Sequence, residues 1–196
     1  MSPIAIGNPI LTRPLILCSS ITASYVLFYT AYDKVDKKIK VSNLADFFSC
    51  RRGIDWTLVE ANKAISLSGL TIMLISFLPE LNHSRKELLF HGMSLLWIHS
   101  VYSSYKFYQF SLKKVLSDKA IKQLSIALGT LGQLSLSLGY WGYISFDSLV
   151  ASSIVLGISH FWTMEVDYKY KLQVRPYAYL PFPLAIYSIY RYFSTK

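Results

Sequence analysis

A chain of 196 residues is long enough for one domain with a sizeable core, and at 53% hydrophobic and 16% charged it is more apolar than soluble domains, which run at roughly 45–50% and about 25%. The formal charge of +9 would suit nucleic acid, but the cations lie in short segments between apolar runs, where membrane orientation and anionic lipid headgroups account for them. Two cysteines, Cys18 in an apolar run and Cys50 in a basic segment, are too few for a disulfide framework or a cysteine-built metal site.

The expectation from these properties is a single all-α domain, 1–196, folded as a polytopic transmembrane helical bundle of about six spans with short loops. Met1 to Arg13, with Pro3, Gly7, Asn8 and Pro9, reads as a non-helical tail. Pro14 suits the first helical position of a span over 14–32. The mixed-charge segment after it, with LADFF at its centre, could lie on a membrane surface. A second span over 57–78 carries Glu60 and Lys63 three residues apart, close enough to pair on one face, and Pro79 ends it.

The third span, 88–110, has a polar stripe: at about 100° per residue, Ser94, Tyr102, Tyr105 and Gln109 fall within about 60° of His91, and His99 at about 80°. Histidines eight residues apart do not form a helical metal pair, so each is expected to make an interhelical hydrogen bond. In the fourth span, 121–144, Ser125, Gly129, Gly132 and Gly139 share a stripe suited to close backbone packing. The fifth is short, 149–164. The sixth, 176–193, is interrupted by Pro181 and Pro183 and is expected to be kinked or broken.

Six spans place thirteen loop cations on one side and five on the other, so both termini should face away from the cytosolic or matrix side. An endomembrane such as the endoplasmic reticulum is the expected location, a mitochondrial inner membrane or a bacterial plasma membrane the alternatives. Helical rise then sets Glu60, Tyr102, Tyr105 and His160 roughly 5–10 Å inside the inner boundary, with Glu165, Asp167 and Arg175 at it. Ionisable groups at such depth face a bundle interior or a wet cavity, which predicts a polar chamber in the inner third.

His160, Asp167 and Glu165 are the candidate catalytic residues, an imidazole and carboxylates suited to acid–base work on a lipid. Tyr102, Tyr105, Lys171, Arg175 and Glu60 are the candidate substrate-binding residues, the cations for an anionic headgroup. No HExxH, GxSxG, glycine-rich phosphate loop or DDxxD pattern occurs, so no metal is expected and no cofactor is named. The segment HFWTMEVDYKYKLQVRPYAYLPF resembles the C-terminal end of membrane steroid and polyprenol reductases over 23 residues, without their His-Trp and Tyr-Pro pairs, and no residue role is taken from it. The expected function is lipid handling: binding, modification or movement of a lipid or other amphipathic molecule. The alternative is a non-catalytic subunit or assembly factor of a membrane complex. The partners expected are membrane lipids and other membrane subunits, not nucleic acid.

Overall fold

The computed structural model describes residues 9–33, 38–145, 148, 155, 157 and 181–194. Helix α1 (Pro9–Ala31) leads into a two-residue antiparallel ladder of β1 (Tyr32–Asp33) and β2 (Lys38–Ile39), in which Tyr32 pairs with Ile39. Then follow the short α2 (Val41–Phe48), α3 (Ile54–Ile75), a 3₁₀ turn (Pro79–Ser84) and α4 (Arg85–Ser103). A π turn (Ser104–Tyr108), α5 (Leu112–Leu116), α6 (Ala120–Tyr140) and α7 (Pro181–Ser194) complete the described elements.

The described helices overlap the first four apolar runs and the sixth, while most of the fifth, 149–164, lies outside the described residues; the six-span membrane bundle is not borne out. Among the described residues, only Ile54–Ile75 is long and apolar enough to cross a membrane; Arg13–Phe28 is apolar but too short. The physical reasons are local. Helix α4 opens on Arg85, Lys86 and Glu87 and carries His91 and His99, α6 is diluted by serine and glycine, and the described part of α7 has 14 residues. Even α3 is 61% buried within the protein over its apolar window, so its apolar character is used by the interior. Multi-pass character is therefore not supported by the described residues.

Helix α3 is the axis of the molecule, packed by α1, α4 and α7. Its Ala64, Leu67, Leu70, Met73 and Leu74, with Phe77 just beyond, form the core with Tyr25, Leu89, Leu136 and Ala185. Burying such side chains is the main stabilising contribution, about 1.5–3 kcal/mol for each large one. Two polar pairs in the core are satisfied in place: the Tyr25 hydroxyl lies 2.7 Å from Thr71 Oγ1, and Ser188 donates to the Leu74 carbonyl at 3.0 Å.

Close approach of α3 and α4 depends on glycine. A Cβ on Gly92 would stand 2.9 Å from the Met73 amide nitrogen, and one on Gly69 would stand 3.0 Å from the Gly92 carbonyl oxygen. The two helices run antiparallel, with Asn62 donating to Ser103 Oγ at 3.0 Å. Helix α6 lies against α4, where buried Gln133 donates to the Leu96 carbonyl at 2.8 Å.

One proline expectation is corrected. Pro14 does not open α1 but lies inside it, and residues 9–13, expected in a non-helical tail, are helical. The described part of the last helix begins at Pro181, and the start of the expected sixth span, 176–180, lies outside the described residues.

Candidate functional site

The antiparallel packing gathers two segments at one end of the bundle. Residues 38–58 bring α2 and the start of α3, and residues 104–122 bring the π turn, α5 and the start of α6. Lys106 Nζ joins them across 2.9 Å to Asp55 Oδ1. That hydrogen bond holds the Lys106 ammonium above its ordinary value, against partial desolvation.

Here Asp55, Leu58, Tyr102, Tyr105, Lys106 and Gln109 line a cavity of about 370 Å³. The Tyr102 hydroxyl is buried and has no hydrogen-bond partner among the described residues. A buried donor in that state is costly. Its wall is shaped by the π turn, after which Gln109 and Phe110 take φ of 51° and 55°. Left-handed backbone at non-glycine residues costs of order 1–3 kcal/mol and is concentrated at functional sites. The corner beyond is held by Asp118, which accepts from the Tyr108 hydroxyl at 3.0 Å. The Lys119 amide, then Tyr108 and Lys122, hold its carboxyl below the ordinary carboxylate range.

A second, more apolar space lies between α1 and α4. It is an open groove of about 610 Å³, within the range of small-molecule sites, with Cys18, Thr22, Ala23 and Val26 on α1 facing His91 and Leu95 on α4. Leu15 and Leu27 mark its reach along α1, roughly 18 Å at helical rise, and Phe48 of α2 stands in its wall. Burial pushes the Cys18 thiol up to about 11, against the opposing effect of a backbone hydrogen bond.

Helix α4 contributes to both spaces. At about 100° per residue, His91, Ser94, Leu95 and Tyr102 lie on one face within about 60° of His91, and Tyr105 follows in the π turn. The first three line the groove, and the tyrosines line the cavity at the basic end. His99 is turned toward α3, its Nδ1 at 3.3 Å from the Asn62 carbonyl oxygen.

Of the residues singled out in the sequence, the structure brings Tyr102 and Tyr105 into the same cavity. Glu60 is buried on α3 and paired at 3.1 Å with Lys63, outside the cavity lining. His160, Glu165, Asp167, Lys171 and Arg175 lie outside the described residues. Sequence reading missed Asp55 and Lys106, although Lys106 stands four residues after Tyr102 on one helical face and Asp55 sits in the first turn of a helix opened by Gly53. It also missed the α1 wall, whose small and apolar residues carry no chemical signature. No family model matches the chain, and no curated protein or solved structure is significantly similar to it.

Proposed function

We propose that this protein binds a single amphipathic lipid, its acyl chain along the α1–α4 groove and its polar headgroup in the cavity of Tyr102, Tyr105 and Lys106. The observation that supports this reading is that one face of α4 carries His91, Ser94 and Leu95 in the apolar groove and Tyr102, roughly 17 Å further along the helix, in the wall of the polar cavity. An extended chain with a polar end has that division of chemistry. Tyr105 and Lys106 supply donors for headgroup oxygens, and the apolar walls exclude water from the tail. The groove and cavity offer binding groups, while the imidazole and carboxylates read as catalytic lie outside the described residues; binding is therefore proposed rather than modification.

A second reading, a non-catalytic subunit or assembly factor, is favoured by α6. Its outer face carries Leu124, Leu131, Leu134, Leu138 and Trp141 exposed, with exposed Ala120 and Ala127 completing an alternating three- and four-residue spacing. That is the pattern of a helix–helix seam.

Native mass spectrometry of the purified chain, with titration of a dansyl-labelled long-chain fatty acid, separates the two. The expected result is one lipid per chain, with Ala23→Trp, which fills the groove, weakening the fatty acid by at least about tenfold, or about 1.4 kcal/mol. Lys106→Ala should weaken it less, because the tail contacts remain. A dimer with no bound lipid and a fatty-acid affinity indifferent to Ala23→Trp would replace the lipid reading with the assembly one.

A further inference from the structure

The basic end of the bundle carries a surface that neither groove nor cavity requires. Residues 38–58 and 104–122 together hold nine Lys and Arg against three Asp, so this end contributes six of the chain's nine net positive charges. Between the cations stand large apolar side chains turned outward: Val41 is 78% exposed and Leu112 70%, with Ile54, Phe107 and Phe110 more than half exposed. Exposed apolar groups of this size, clustered and rimmed by charge, mark an interaction surface.

The local structure makes the surface firm. In α2, Asn43 and Phe47 turn inward while Val41 and Phe48 turn outward, so eight residues suffice for an amphipathic helix. Asp46 pairs with Arg52 at 3.2 Å, Arg52 donates to Asn43 Oδ1 at 2.9 Å, and its guanidinium stacks 5.1 Å from the centre of the Trp56 ring. These contacts lock α2 onto the start of α3. In the other segment, Ser111 caps α5 by accepting from the Lys114 amide, and exposed Lys113 and Lys114 flank Leu112.

We infer that this end of the bundle is a docking face for an anionic bilayer surface, with Val41, Ile54, Phe107 and Leu112 entering the interface and the cations meeting lipid phosphates and carboxylates. Charge complementarity selects this occupant. Phosphatidylserine-type surfaces attract clustered Lys and Arg over about a Debye length, and the interspersed apolar groups find hydrocarbon just beneath the headgroups. An acidic protein or a nucleic acid would satisfy the cations but would leave the apolar residues in water. Docking stands on exposure and charge alone, and so holds whether or not the groove takes a lipid.

Vesicle co-sedimentation of the full chain tests it. With phosphatidylcholine vesicles containing about 30% phosphatidylserine, at least about tenfold more protein should pellet than with phosphatidylcholine alone, most of it released at about 0.5 M salt. Val41→Asp together with Leu112→Asp, and separately Lys113→Glu together with Lys119→Glu, should each reduce pelleting by at least about tenfold, with circular dichroism confirming retained helix. Neither pair lies in the groove or cavity, so fatty-acid affinity should be unchanged, whereas Ala23→Trp should spare pelleting and lose the fatty acid. Equal pelleting with neutral and anionic vesicles, or undiminished pelleting of both folded double variants, would overturn the inference.

Discussion

Cys18 and Cys50 stand in opposite surroundings. Cys18 is buried in the α1–α4 wall with its thiol pushed up to about 11, which leaves a thiolate fraction of about one in 10,000 at pH 7; Cys50 is exposed on the turn before α3. Because the thiolate is the reactive form, a maleimide should modify one thiol per chain quickly, at Cys50, and the second only after denaturation. Mass spectrometry of partly labelled protein reads this directly, and equal rates at the two sites would mean that α1 does not pack as described. At this scale some of the site was legible in sequence. The stripe of His91, Tyr102 and Tyr105 follows from helical spacing alone. Cys18 was not legible as part of a wall, because a thiol in an apolar run is silent about which helix it faces.

Among the elements, the α3–α4 crossing is where a single methyl group matters most. Gly92→Ala would force backbone against backbone, its Cβ 2.9 Å from the Met73 nitrogen and 3.0 Å from the Gly69 oxygen, so the helices must separate. A loss of about 1–3 kcal/mol is expected, of the size found for overpacked cores. Gly157 provides the contrast, since among the described residues a Cβ there would meet only the tips of Leu70 at 3.0 Å and Met73 at 3.6 Å, which can turn aside. Chemical denaturation of Gly92→Ala and Gly157→Ala should therefore show a large and a small effect; the reverse order would refute the crossing. Helix positions could be read from apolar runs and proline boundaries, yet the glycines chosen from sequence lay on α6, because stripes of small residues announce close packing without naming the partner. The short ladder of Tyr32–Asp33 with Lys38–Ile39 was invisible, since two paired residues leave no periodicity.

For the whole molecule, the mistaken expectation and the proposed function have one cause. Apolar composition alone does not separate a helix facing lipid from one facing its neighbours, and α3 owes its apolarity to the place at the centre of the bundle that α1, α4 and α7 give it. The same packing leaves the α1–α4 groove open, where a lipid tail would bury apolar surface that the folded chain exposes and the unfolded chain cannot arrange. A ligand that binds only the folded state stabilises it by mass action, by about 2.7 kcal/mol at a hundredfold excess over Kd. In a chain of this size that corresponds to a rise of about 5–10 °C in Tm. The dansyl-labelled fatty acid should raise Tm by this amount in the wild-type chain without any vesicles present. Ala23→Trp should retain a cooperative melt but lose the rise, whereas Val41→Asp with Leu112→Asp should keep it, because docking at the basic end and occupation of the groove use different atoms. A rise that survives Ala23→Trp and disappears in the docking variant would place the lipid at the basic end, leaving the groove as packing between two helices.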